Sequence, residues 1–350
     1  MIRVLVVDDS AVVRRVLSEA LSAAPGIEVV GSAVDPYVAR DKIAQLRPDV
    51  ITLDIEMPRM DGLTFLQKLM AHHPLPVVVV SSLTPASSAM ALRALALGAV
   101  GVICKPGSQF SVQEVANDIV QQVRAAAHAR VRAGLEEVRK RPVSPQITRH
   151  LVTTRKILAI GSSTGGPQAL EQILTALPAT CPGTVIVQHM PGQFTKDFAK
   201  RLDGLCEVHV SEASDGEEVT TGKVLIAPGG LHMMLQRSGA SYSVRLKDAP
   251  AVNHHRPSVD VLMHSVAKAA GANAVGVILT GMGADGARGM LAMRSAGAHT
   301  IAQDEATSVV YGMPKEAFLI GGAVDVLPLP EIAEAACSAL AEITPDAAAS

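Results

Sequence analysis

Short apolar runs, rich in Val and Ile, alternate along this chain with longer segments whose apolar residues recur every three to four positions. The runs predict strands and the periodic segments predict helices. In the first half the predicted strands are Arg3–Val7, Glu28–Ala33, Val50–Leu53, Val77–Ser81 and Gly101–Ile103, with helical patterning over Ala11–Ala23 and Leu63–His72. In the second half they are Lys156–Ile160, Thr184–Gln188, Val224–Ala227, Ala274–Leu279 and Thr300–Ala302. The runs are continuously apolar instead of alternating, as strands buried on both faces are. The pattern therefore predicts an α/β chain of two doubly wound parallel-sheet domains joined by a linker.

The division falls where the pattern changes. From Val112 through Val115, Ile119, Val123, Ala127 and Val131 the apolar spacing is helical, which extends the last helix of the first half past residue 120. A basic, alanine-rich stretch follows and ends in Arg141-Pro142-Val143-Ser144-Pro145, where two prolines stop any helix. We therefore expect one domain over 1–121, a helical, basic, Pro-containing linker over 122–152, and a second domain over 153–345, with 343–350 as a frayed tail.

Composition narrows the function. With 350 residues the chain has room for two cores. Aromatic residues are 2% and Trp is absent, which argues against a base-stacking nucleic-acid platform. The net charge of −2 supplies no field for nucleic acid, and the second half shows no helix-turn-helix pattern, so no nucleic-acid partner is expected. The arginines of 124–149 read as a solvated helix face. Four scattered cysteines form no CxxC pair, which indicates reduced thiols and no zinc site. The opening MIRVLVVDDS breaks at two aspartates as a first strand does, and no apolar run approaches membrane-spanning length. A cytoplasmic protein without membrane insertion is expected.

Chemistry in such folds gathers outside the carboxyl ends of the strands. In the first half those ends carry Asp8-Asp9, Asp54, Ser81-Ser82 and Lys105. Three converging carboxylates raise one another's pKa unless a cation sits among them, and oxygen ligands of this kind suit Mg²⁺. Lys105 could neutralise a transferred phosphoryl group and Ser81 could hydrogen-bond to it.

In the second half, Gly161-Ser162-Ser163-Thr164-Gly165 ends a predicted strand and opens a helix. It fits G-x-S-x-G, a sharp strand-to-helix turn that exposes a nucleophile, and that register selects Ser163. The same turn could hold a phosphate or nucleotide in a non-enzymatic regulator, although no Lys-Ser/Thr of a P-loop follows Gly166. His189 follows a strand and could act as base, with His232 its competitor. Asp285, in LTGMGADG, could orient the base or simply accept local turn hydrogen bonds.

Asp8-Asp9, Asp54-Ile55-Glu56-Met57-Pro58 with Asp61-Gly62, Ser81, and Cys104-Lys105-Pro106 resemble a response-regulator receiver domain. The resemblance implies that Asp54 is the phospho-acceptor, that Asp8, Asp9 and Asp54 with the backbone carbonyl of Glu56 bind Mg²⁺, and that Ser81 and Lys105 are the switch residues. The aromatic switch position of many receivers falls on Val102. GSSTGGPQAL, VQHMPGQFT, APGGLHM, DAPAVNHHRPSVDVLMHSVAK and GVILTGMGADGARGM resemble the catalytic domain of the chemotaxis protein-glutamate methylesterases, the CheB family. This resemblance covers about Arg155–Leu327 and implies a catalytic set of Ser163, His189 and Asp285, with Met282 in the oxyanion loop. Where the family often has Ala, this chain has Ser162. The implied activity is hydrolysis of γ-glutamyl methyl esters on chemoreceptors, releasing methanol, together with deamidation of receptor glutamines. Ester hydrolysis would need no cofactor, a chemotaxis histidine kinase would be the phosphodonor, and phosphorylation would make the esterase conditional.

Overall fold

The branched runs of the first half fold as β1 (Ile2–Val7), β2 (Ile27–Ala33), β3 (Val50–Asp54), β4 (Val77–Ser81) and β5 (Gly101–Cys104), each within a residue of its predicted bounds. The structure is a computed structural model that describes residues 1–57, 60–82, 84–105, 112–131 and 155–343. It divides into two compact units, Met1–Glu137 and Val138–Ser350. In the first, all strand pairs are parallel and the order is β2-β1-β3-β4-β5. Helices α1 (Ala11–Ser22), α2 (Pro36–Leu46), α3 (Gly62–His72), α4 (Pro85–Ala96) and α5 (Val112–Ala127) connect and follow them. Ser10, Asp35 and Asp61 start α1, α2 and α3 by accepting from backbone N–H groups that the first helical turn leaves unpaired. The chain turns back at β1, so β1 and β3 lie side by side and a crevice opens at their carboxyl ends. The predicted continuation of the last helix stops at Ala127, short of Val131. The prolines of the expected linker lie outside the described residues, as does the expected tail from 344 onward.

The second unit holds β6 (Ile157–Ser162), α6 (Gly166–Leu174), β7 (Gly183–Gln188), α7 (Gly192–Asp203), β8 (His209–Glu212), β9 (Lys223–Ile226), β10 (His232–Ser238), β11 (Ser241–Lys247), α8 (Val259–Ala269), β12 (Ala274–Ile278), α9 (Ala287–Ser295), β13 (His299–Gln303), α10 (Met313–Leu319), β14 (Asp325–Leu327) and α11 (Leu329–Glu342). Seven strands make one parallel sheet ordered β14-β13-β12-β6-β7-β9-β8. β6, β7 and β12 are buried along their whole lengths, and each Val, Leu or Ile so buried contributes roughly 1.5–3 kcal/mol. The chain leaves β6 toward β7 and later returns on its other side at β12. β6 is thus the switch point of the sheet, and its carboxyl end is where a crevice opens.

Four strands depart from the predicted pattern. β8 and β14 are short edge strands. The pair β10–β11 is an antiparallel hairpin turned at Gly239 and packed on α8, where Leu235 N–H donates to Ser265 Oγ at 2.8 Å. Met233, Leu235, Tyr242 and Val244 are buried while Met234 and Ser243 between them are only half-buried, a period of two and not a continuous run.

Candidate active site and acidic pocket

Because β1 ends at Val7 and β3 at Asp54, topology alone brings Asp8, Asp9 and Asp54 together. Their ligand atoms lie within 4.8 Å of one another. Asp8 and Asp54 are buried, and Lys105 Nζ stands 2.6 Å from Asp54 Oδ2 and 3.5 Å from Asp8 Oδ2. One ammonium thus meets two of the three carboxylates. Burial pushes Asp54 up to about 6, and Lys105 offsets only part of that rise. Burial raises Asp8 as well. Burial alone would lower Lys105, but its hydrogen bond and charge contact with Asp54, and then the charge of Asp8, outweigh it and hold the ammonium above its ordinary range. Asp8 Oδ2 is buried without a hydrogen-bond partner. Hard oxygen donors, excess negative charge and a free buried lone pair fit a divalent cation such as Mg²⁺.

Ser81 is also buried, and its hydroxyl donates toward the carbonyls of Ser87 (3.2 Å) and Ser82 (3.3 Å). The Glu56 carboxylate, unnoticed in the sequence, accepts from Ser87 Oγ at 2.6 Å and Ser82 Oγ at 3.0 Å. It ties the loop after β3 to the loop before α4 and to the first turn of α4. Val102 lies buried in β5.

A stability prediction follows from Asp54. Its folded pKa of about 6 exceeds its unfolded value, so ionisation opposes folding. That opposition is complete above the folded pKa, weakens as pH falls through it, and is gone below the unfolded pKa near 3.8. In metal-free buffer at pH 7.5, Asp54→Asn should stabilise the first unit by about 1–3 kcal/mol. Chemical denaturation should show the gain shrinking between about pH 6 and pH 4, and Mg²⁺ should abolish it. An equal gain at pH 4 would contradict the assignment.

At the switch point of the second sheet the glycine turn fixes three hydroxyls differently. Ser162 Oγ points inward and donates to Gln188 Oε1 at 2.7 Å. Thr164 is buried and its carbonyl accepts from Thr280 Oγ1 at 2.9 Å. Ser163 stands at the crown, pinned by its N–H to Thr280 O (3.0 Å) and by its carbonyl, which accepts from Gly166 N and Gln188 Nε2. Two glycines make room for this. Gly165 adopts φ +76° to open α6, and Gly281 lies so close that a Cβ there would sit 2.8 Å from Ser163 Cβ.

His189 follows β7, the strand beside β6, and its N–H donates to Ser162 O at 3.0 Å. Gln188 Nε2 donates to the carbonyls of both Ser163 and His189, so one amide holds the two turns together. The His189 ring donates from Nε2 to Asp285 Oδ2 at 2.9 Å. Its Nδ1 is buried with no hydrogen-bond partner, and no hydrogen bond joins Ser163 Oγ to it among the described residues. Catalytic hydrogen bonds are often unformed without substrate. His232, the competing histidine, is committed elsewhere: Nδ1 accepts from Ser258 N–H at 3.2 Å, and Nε2 donates to Pro250 O at 3.0 Å.

Asp285 is held from several directions, which the sequence did not reveal. Its carboxylate sits at the N-terminus of α8, accepting from Val259 N (2.7 Å), Asp260 N (3.2 Å) and the capping Ser258 Oγ (2.7 Å), and also from Asn253 Nδ2 (2.7 Å). Burial would raise its pKa. The His189 hydrogen bond and charge, with Asn253 and Ser258, outweigh burial and hold it well below the usual carboxylate range. Met282, three residues earlier, is exposed at the rim. Among the described residues the N–H groups of Thr164 and Met282 donate no hydrogen bond.

Fold and side chains together define a two-domain class: a receiver domain followed by a doubly wound α/β domain with a glycine-flanked serine turn and a hydrogen-bonded His-Asp pair at the carboxyl ends of neighbouring strands. Comparison with known proteins agrees. Residues 158–336 match the family model of the CheB methylesterase, and residues 4–117 match that of the response regulator receiver domain. A protein-glutamate methylesterase/protein-glutamine glutaminase of Syntrophus aciditrophicus is 56% identical over 95% of this chain and 97% of its own length. One of Anaeromyxobacter dehalogenans is 59% identical over 95% of this chain and 93% of its own. The crystal structure of the Thermotoga maritima CheB methylesterase catalytic domain superposes with a TM-score of 0.52 at 43% identity, covering 53% of this chain and 98% of that one. The chain belongs to the CheB family of protein-glutamate methylesterases. No helix among the described residues is long and apolar enough to cross a membrane.

Proposed function

We propose that this chain is a phosphorylation-regulated protein-glutamate methylesterase and protein-glutamine glutaminase of chemotaxis adaptation, acting on chemoreceptors through Ser163, His189 and Asp285. The observation that carries the reading is the buried His189–Asp285 hydrogen bond beside the Ser163 turn. Because Asp285 accepts from Nε2–H, the neutral imidazole keeps its lone pair on Nδ1. Ser163 Oγ attacks the γ-ester carbonyl as its proton passes to Nδ1, and the paired carboxylate stabilises the imidazolium. The tetrahedral oxyanion is received by the free N–H groups of Thr164 and Met282. Collapse expels the methoxy group, which takes the proton from His189 and leaves as methanol, with glutamyl ester on Ser163. Water, deprotonated by His189, then attacks; Ser163 recovers the proton and glutamate is released. For a glutamine the same steps release ammonia.

The first domain supplies the control. Asp54 accepts a phosphoryl group from a histidine kinase, Lys105 meets the added charge, and Ser81 turns its hydroxyl toward it. Asp8, Asp9, Asp54 and the Glu56 carbonyl would hold Mg²⁺, which when bound neutralises charge on the incoming phosphoryl oxygens. The test is methanol release from methylated receptor, with and without a small-molecule phosphodonor. The phosphodonor should raise the rate of the intact chain and leave that of Asp54→Asn where it was. An undetectable rate in both states, or equal stimulation of both proteins, would overturn the reading.

A further inference from the structure

A tight turn before α8 reaches both partners of the His189–Asp285 pair. Val252 and His255 exchange two backbone hydrogen bonds (2.9 and 3.1 Å), which places Asn253 and His254 at the centre of the turn. Both central residues have positive φ, 52° and 67°, a conformation that glycine adopts most easily. Asparagine tolerates it too, and here its side chain is in use. Asn253 Nδ2 bridges Asp285 Oδ1 (2.7 Å) and the buried Asp260 Oδ2 (2.8 Å), while Asp260 Oδ1 accepts from Gly289 N at 2.7 Å. Two residues on, the His255 ring lies flat on the His189 ring, with centroids 3.7 Å apart and planes 12° from parallel. One turn therefore grips the acid at its carboxylate and the base at its face.

We propose that His255 is a positioning residue for the Ser163 reaction, its ring stacking on the His189 imidazole to fix the plane in which Nδ1 meets the serine hydroxyl. The inference rests on reading Ser163, His189 and Asp285 as the catalytic set. The geometric reason is that Asp285 holds His189 by one edge only. A ring held at one nitrogen can still tilt about that hydrogen bond, and a face contact removes the tilt. A second imidazole serves only if it does not become cationic beside the imidazolium formed during reaction. Burial and the neighbouring His189, opposed by Asp285 and joined by His254, push His255 down to about 3, so the stacked ring is neutral wherever the enzyme works. His255 makes no side-chain hydrogen bond among the described residues, as expected of a group that acts through its face.

The test compares His255→Ala, His255→Leu and His255→Phe in the full-length, phosphodonor-treated chain. The readouts are methanol release across pH and covalent labelling of the active serine by a fluorophosphonate. Ala and Leu should lower kcat by about 10- to 100-fold, the scale of a misplaced catalytic group, with KM nearly unchanged. Phe, flat and unable to titrate, should restore most of the rate, the labelling and the wild-type pH profile. If Ala fails to fold, Leu against Phe decides. Leu equal to wild type would overturn the proposal. So would Phe as slow as Leu, which would mean that the imidazole nitrogens are needed. Ser163→Ala in the same assay separates the two failures: activity there removes the catalytic set itself, whereas an inactive Ser163→Ala beside a normal His255→Leu removes only this inference.

Discussion

Replacing Ser163 by Ala should abolish methanol release, with kcat falling by about 10⁴-fold or more, while Ser162→Ala should stay within about tenfold of the parent. The two hydroxyls are neighbours in sequence, and only the fold separates them. Ser162 ends β6 fully buried, with its proton committed to Gln188 Oε1. Removing that hydroxyl forfeits one buried hydrogen bond, a loss of roughly 0.5–1.5 kcal/mol, and loosens the amide that also holds the carbonyls of Ser163 and His189. A few-fold effect on rate is the natural size of that disturbance. Ser163 stands at the crown, next to Gly281 and with the unpaired N–H of Thr164 following it. Its loss removes the atom that forms the acyl intermediate. Methanol release and fluorophosphonate labelling should both vanish in Ser163→Ala and persist in Ser162→Ala. The reverse pattern would move the nucleophile to Ser162.

The sequence disclosed the parts of this molecule that repeat or end abruptly. Continuous branched runs marked the buried strands because a strand covered on both faces has no polar side to show. The strand ends marked Asp8, Asp9, Asp54, Ser163, His189 and Asp285 because a doubly wound sheet puts its loops there. The β10–β11 hairpin was legible in part, since Tyr242 and Val244 alternate with Ser241, Ser243 and Arg245 and Gly239 supplies the turn. A search for continuous runs passes over such a pattern. β8 and β14 are four and three residues long, too short for any periodicity to register. What the sequence could not disclose are partnerships made across distance. Asn253 and Ser258 meet Asp285 over 32 and 27 positions, and Glu56 meets Ser87 over 31. Nothing in NHHRPS says that its second histidine will lie on the ring of His189, because the cause is a turn whose central residues take positive φ without glycine. The competing His232 likewise meets two backbone partners that its neighbours in sequence do not suggest.

The other large effect expected is at Asp285. Asp285→Asn should lower kcat by about 10⁴-fold while leaving the fold intact, because the change removes the charge that stabilises the imidazolium and lets the amide either force the wrong proton arrangement on His189 or oppose the donors around it. Every group that touches this carboxylate is a donor: His189 Nε2 and Val259 N on Oδ2, and Ser258 Oγ, Asn253 Nδ2 and Asp260 N on Oδ1. An ionised carboxylate accepts from all of them, whereas an asparagine must aim its NH₂ at one side. Aimed toward the Oδ2 side, it opposes Val259 N–H and can bond His189 only if the ring moves its proton to Nδ1, the nitrogen that must accept from Ser163. Aimed toward the Oδ1 side, it opposes the donors of Asn253 and Asp260. In either case an anion at the N-terminus of α8 is lost, a further cost of about 0.3–2 kcal/mol to stability. In the parent the carboxyl is held well below the ordinary range, so it stays ionised at every pH where the esterase is assayed. Protonation of Asp285 therefore does not limit activity in acid. A kcat for Asp285→Asn above about 1% of the parent, with Ser163 still required, would mean that the stacked His255 and the Gln188 tether can orient His189 without its carboxylate partner.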